Sequence, residues 1–103
     1  MRPYDLTLAA EADLEEIASY TLEQWGERQQ RRYAELLEAC FQGIAANTVR
    51  SRTVSSRYPQ VRVTRCEHHY VFYFVPKGKK PLIIAVLHER MDFLTRLASR
   101  FHL

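Results

Sequence analysis

The sequence predicts an α+β fold: a short N-terminal strand, an antiparallel helical hairpin packed on a mainly antiparallel sheet, and a C-terminal helix. Apolar residues recur at helical spacing in the first half, most cleanly at Tyr33, Leu36, Leu37, Cys40, Phe41 and Ile44. After position 60 the apolar residues turn β-branched and aromatic, in VRVTRC, YVFYFV and LIIAVL. The break between the two helical stretches is short enough to make them antiparallel neighbours.

Taken in order, residues 2–8 read as a first strand, because Tyr4, Leu6 and Leu8 alternate with Asp5 and Thr7. Thr7 is placed to cap a helix over 8–25 through its hydroxyl. Leu14, Ile17, Ala18, Thr21 and Trp25 share one side of that helix, and Glu11, Asp13, Glu15 and Glu16 crowd its first turns, where the dipole favours anions. Gly26 stops it. A second helix over 27–46 contains Gly43, which either permits close packing or marks an early end. If Leu37 and Phe41 are core, truncating either to Ala costs roughly 2–5 kcal/mol. Residues 47–60, rich in Ser, Thr and Arg with Pro59 near the end, read as a loop. Strands follow over 61–66, 70–75 and 82–87, the last two joined by a turn over 76–81 in which Gly78 allows positive φ. A last helix over 91–101 has Met91, Leu94, Leu97, Ala98 and Phe101 as its apolar edge and Arg96 and Arg100 as its basic one.

The 103 residues suit one domain, 1–103. A composition of 47% hydrophobic and 12% aromatic residues supports a small core, with a stability on the order of 5–15 kcal/mol. No run approaches the roughly 18 apolar residues of a membrane span. Acidic residues arrive too early in MRPYDLTLAAEADLEE for a signal peptide, so the expected location is the cytoplasm. Cys40 and Cys66 sit in apolar patterns without metal-ligand spacing and read as inert buried thiols; no metal or cofactor is expected.

The net charge of +3 hides an asymmetry. Most acids lie in the helical half, whereas the sheet half is basic and has no acid between Glu38 and Glu67. A basic sheet half suits an anionic partner. Arg62, Arg65, His68, His69, His88 and Arg90 fall on strand faces or strand ends, where a rigid sheet can aim them. Arg62 has the strongest functional claim, being on the polar face of an inner strand near the arginines at 50, 52 and 57. Lys77, Lys79 and Lys80 read as solubilising charges on a hairpin.

Several motifs in order carry a family resemblance. They are LTLAAEADLEEI at 6–17, YTLEQWG at 20–26, Val61-Arg62, HYVFY at 69–73 and VLHERMD at 86–92. Together they span nearly the whole chain, and this chain resembles the ParE toxins of the RelE/ParE toxin–antitoxin superfamily. The resemblance implies a RelE/ParE-like fold and a toxin neutralised by a ParD-like antitoxin. It further implies DNA gyrase as the target, trapped on cleaved DNA so that replication stalls, and action by binding without catalysis.

The alternative is a RelE-like ribosome-dependent mRNA endoribonuclease, and a third reading is a nontoxic binding relative. RNA cleavage needs a proton acceptor, a proton donor and cations near the phosphate, roles that Arg62, Arg65 and His88 would fill. RelE-like enzymes place Lys or Arg around the second helix and its following loop. The spacing of Arg50, Arg52 and Arg57 departs from that pattern, and no Tyr follows Tyr73. For a gyrase poison, the expected target-binding residues are Arg62, Arg65, His88, Arg90, Arg96, Arg100 and Phe101. Their guanidiniums suit carboxylates or phosphates. The expected antitoxin-binding residues are Leu14, Ile17, Trp25, Tyr33 and Leu37, meeting a disordered acidic segment that folds on binding as a helix in a groove or as an added strand.

Overall fold

The computed structural model describes residues 2–90 and 93–100. Chain order is β1 (Asp5–Leu6), α1 (Leu8–Trp25), α2 (Glu27–Ala45), β2 (Arg52–Ser55), β3 (Tyr58–Cys66), β4 (His69–Phe74), β5 (Leu82–His88) and α3 (Phe93–Arg100). The strands form a five-stranded sheet in the order β1-β5-β4-β3-β2, antiparallel except for β1 beside β5. The expected α+β architecture is therefore present, with an additional strand. No helix among the described residues is long and apolar enough to cross a membrane.

Local chemistry explains the helical hairpin. Thr7 is extended, and its hydroxyl accepts the amide of Ala10 at 3.1 Å, as its cap position predicts. Gly26, at φ 89°, ends α1 and starts α2. Its N–H donates to Leu22 and its carbonyl accepts from Gln30, so one residue serves both helix termini. Gln30 Nε2 then donates to the Ala18 carbonyl at 3.0 Å and ties the two helices together. Gly43 does not end α2. A Cβ there would lie 2.8 Å from Val49 Cγ1, so the glycine admits the returning chain.

The first strand is shorter than the alternation over 2–8 suggested. Only Asp5 and Leu6 pair, with Leu82 and Ile83; the Thr7 amide makes the last bond to β5, donating to the Ile83 carbonyl at 3.0 Å, and the chain then turns into α1. The segment 47–60 is not a loop throughout. Arg52–Ser55 is a strand, and β3 begins at Tyr58. Pairing with β3 outweighs the polar composition, and a register shift between Thr53 and Ser55 absorbs Pro59, which has no N–H for a regular ladder.

The sheet is covered on both faces. On one, Tyr33, Leu37, Phe41 and Ile44 of the hairpin bury Val71, Tyr73, Ile83 and Val86. Leu37 and Phe41 are core, as their spacing predicts. On the other face Leu97 of α3 packs with Val61, Val63, Phe72, Ile84 and Leu87. Tyr73 pairs with Ile83 and Phe72 with Ala85, so Ile84 is the extra residue of a bulge in β5. Met91 and Phe101, expected on the apolar edge of the last helix, lie outside the described residues.

Beyond Ile83, β5 has no strand on its outer side among the described residues, because β1 is so short. Side chains complete that edge. Asp13 accepts the Val86 amide at 2.9 Å, and Arg100 donates to the Ile84 carbonyl at 3.0 Å. The two side chains also pair with each other through contacts of 2.7 Å.

Candidate functional site

An apolar groove of about 370 Å³ runs between α1 and α2. Leu14, Ile17, Tyr33 and Leu37 line it, four of the residues expected to meet an antitoxin. The fifth, Trp25, is outside the groove. It is 70% exposed at the last residue of α1, near Leu22 at 46%, and extends the apolar surface toward the hairpin tip. The rim carries Glu15 and Glu38, so the groove faces its occupant with acids. Ala18 and Ala34, whose small side chains leave the space open, also line it. Ala18 shares the helix side of Leu14 and Ile17, as its spacing predicts, whereas Ala34, a small residue among charged ones, gives little apolar signal of its own.

The groove ends near a polar cluster at one end of the sheet. The Tyr33 hydroxyl meets His69 Nδ1 at 2.6 Å and accepts the His68 amide at 3.1 Å. The Tyr33 hydroxyl thus bridges the His68 backbone and the His69 ring. Burial first, then the neighbouring His88 and His68, hold His69 down at about 4, so it is neutral near pH 7. The His88 ring stands edge-on to His69 at 5.3 Å, and its Nδ1 accepts the Arg90 amide. Burial also raises the Tyr33 phenol.

The residues expected to face the target are dispersed. Arg62 and Arg65 stand three apart on one regular strand and leave from opposite faces. Arg62 is held by Ser51, donating to its Oγ at 2.8 Å and its carbonyl at 2.9 Å. Arg65 donates to Glu89 at 2.7 Å and to the Glu67 carbonyl, and lies over the Tyr70 ring. His68 reaches the other Glu89 oxygen at 3.2 Å. These contacts, first the His68 hydrogen bond, hold the Glu89 carboxyl below its ordinary range. His88 shares the helical side with His69, away from Arg65. Arg90 and Arg96 are exposed, whereas Arg100 is committed to Asp13. Its hydrogen bond to Asp13 raises the Arg100 guanidinium above its already high range. Phe101 lies outside the described residues. Arg62, Arg65 and His88, the set a nuclease would require, do not converge on one point.

Cys40 and Cys66 meet between α2 and β3. The hydrogen bond to Cys66, then burial, raises the Cys40 thiol. Cys66 Sγ also lies 3.5 Å from the Leu36 carbonyl. No group of three or more metal-binding side chains occurs among the described residues.

Known proteins share this sequence and this fold. Residues 4–93 match the family described as the ParE toxin of the type II toxin–antitoxin system parDE. The chain is 47% identical over 100 residues to Toxin ParE of Escherichia coli, covering 97% of each chain. It is 35% identical over 92 residues to Toxin ParE1 of Caulobacter vibrioides, covering 89% of this chain and 94% of that one. Its fold matches a solved chain from the chromosomal ParDE toxin–antitoxin system of P. aeruginosa with a TM-score of 0.69. That match has 20% sequence identity and covers 82% of this chain and 92% of the other. By the family match over residues 4–93 and the 47% identity to Toxin ParE, the chain belongs to the ParE toxin family of type II toxin–antitoxin systems.

Proposed function

We propose that this ParE-type toxin poisons DNA gyrase by binding to it, and that a ParD-like antitoxin silences it by seating an amphipathic segment in the groove between α1 and α2. The observation that carries the antitoxin half is the groove itself: an apolar channel lined by Leu14, Ile17, Tyr33 and Leu37 on a helical hairpin. A helix with apolar residues at i, i+3, i+4 and i+7 suits such a channel. The Glu15 and Glu38 rim favours basic flanking residues on that helix, in place of the acidic segment that net charge alone suggested. Action by binding is supported by the dispersal of Arg62, Arg65 and His88, since general acid–base catalysis needs its groups within hydrogen-bond reach of one reacting centre.

The test adds the purified protein to gyrase, plasmid and ATP and reads supercoiling and linear DNA on one gel. The expected result is lost supercoiling with trapped, cleaved plasmid, reversed by the antitoxin. A folded sample that leaves gyrase untouched but cuts mRNA in a translation extract would overturn the reading.

A further inference from the structure

On the sheet face that α3 packs against, a second cleft of about 260 Å³ lies between the start of β2, the second half of β3 and the start of β4. Arg50, Arg52 and Arg65 line it together with Val63, Thr64 and Tyr70, and none of its lining residues is a carboxylate or an imidazole. We propose that this cleft is a phosphodiester site that grips a nucleic-acid backbone without cleaving it.

The cleft is rigidly built. Arg62 donates twice to Ser51, and the Thr64 hydroxyl donates to the Arg50 carbonyl at 2.6 Å. These bonds from β3 fasten the 50–52 backbone, so the side chains of Arg50 and Arg52 project from a fixed support. Neither guanidinium has a carboxylate partner among the described residues. Arg65 is oriented from behind by Glu89 and the Glu67 carbonyl. Its charge is shared with Glu89, whereas those at 50 and 52 remain whole. The stretch that supplies the latter two contains no acid between Glu38 and Glu67.

Chemistry separates gripping from cutting. Guanidiniums fit phosphate oxygens bidentately and stay charged at any working pH. Cleavage at a ribose 2′-hydroxyl also needs a proton acceptor beside the phosphate, and the lining holds no carboxylate or imidazole; its phenol, Tyr70, lies under the Arg65 guanidinium. The inference deepens the target-facing half of the gyrase reading, because a poison of a protein–DNA complex gains a direct hold on DNA. Its test omits gyrase, so the two ideas fail separately.

The experiment measures binding of the full chain to a fluorescent 20-base-pair duplex across a salt series, with single-stranded DNA and RNA of the same sequence as parallel probes. Duplex binding should weaken steeply with salt. Arg50→Ala/Arg52→Ala should reduce affinity at least about tenfold near 0.1 M salt and lower the log–log salt slope by about 1.8, the value for two phosphate contacts. Lys77→Ala/Lys79→Ala removes the same charge from the distant hairpin and should stay within about twofold. Arg52→Lys, which keeps the charge but not the fork, should lose less affinity than Arg52→Ala, and a wild-type unfolding midpoint for the double variant guards against a folding artefact. Equal losses in the cleft and hairpin variants would reduce the effect to net charge and overturn the site. So would wild-type protein that binds none of the three probes, or RNA that is cut rather than held.

Discussion

Arg100 closes on Asp13 with both carboxylate oxygens engaged at 2.7 Å, joining residues 87 apart in sequence. The pair lies where β5 has lost its neighbour, and it satisfies the Val86 amide and the Ile84 carbonyl as well. It thereby fastens α3 and α1 to the same bulged strand. The side chains are 18% and 11% exposed, so removing one partner leaves the other poorly solvated. Arg100→Ala should lower stability by about 3 kcal/mol, the lower end for breaking a buried pair. Asp13→Ala should cost more, because the Val86 amide loses its acceptor, whereas without Arg100 the Ile84 carbonyl keeps the Thr7 hydroxyl at 3.4 Å. Urea unfolding of both single variants and the double variant measures the coupling, and an unchanged midpoint for Arg100→Ala would contradict this account.

Gly43 gives a prediction whose sign reverses with context. An alanine there gains about 1 kcal/mol of helix propensity, but its Cβ would sit 2.8 Å from Val49 Cγ1 and 3.4 Å from Thr48 Oγ1. Overpacking of this kind costs typically 1–3 kcal/mol. Gly43→Ala should therefore destabilise the wild-type protein by roughly 1 kcal/mol. In a Val49→Ala background the same substitution should stabilise. Thermal melts of the four proteins decide it, and a stabilising Gly43→Ala in the wild-type chain would show that Val49 yields freely.

Much of this architecture was legible because local signals agreed with tertiary packing. The Thr7 cap, the Gly26 stop and the spacing from Tyr33 to Ile44 each report a preference that the fold keeps. β2 was illegible because RTVS is short and set among polar residues, and it becomes a strand only when β3 pairs with it. The β5 bulge was hidden inside LIIAVLH, since an unbroken apolar run looks the same in either register. For the sites, large apolar residues announced the groove, but charge alone could not distinguish working cations. Arg62 and Arg100 read as contact residues, yet one braces the Ser51 backbone and the other completes a sheet edge. Arg50 and Arg52 looked like loop charges until their fastening to β3 brought them beside Arg65.

Burial of the His69 ring predicts an acid-side loss of stability. His69 is held at about 4 in the folded chain, mainly by burial, against an unfolded value near 6.5. Between those values the unfolded chain binds a proton that the native chain refuses, so stability rises with pH. The contribution is complete above about 6.5, falls as pH drops toward 4 and is constant below it. Because the ring is not fully buried, solvent screening reduces the expected swing to about 1–2 kcal/mol. His69→Asn, which keeps a hydrogen-bond partner for the Tyr33 hydroxyl, should flatten this part of the profile. Denaturant midpoints from pH 4 to 7 supply the measurement, and an unchanged slope in the variant would assign it to other groups.

The groove can be blocked without disturbing the core. Ala34 lines it yet is exposed, so a longer side chain has room to stand in the channel rather than in the protein interior. Ala34→Glu would set a carboxylate between Leu14 and Leu37, where an apolar segment must displace it or leave it desolvated. The expected result is antitoxin binding weakened at least about tenfold, with stability changed by less than about 0.5 kcal/mol, as for most exposed substitutions. Gyrase inhibition should persist but resist reversal by the antitoxin. The combination matters, because a variant that merely unfolds loses both activities together. If titration calorimetry finds the antitoxin affinity within twofold of wild type, the segment docks elsewhere, and the free outer edge of β2 becomes the next surface to probe.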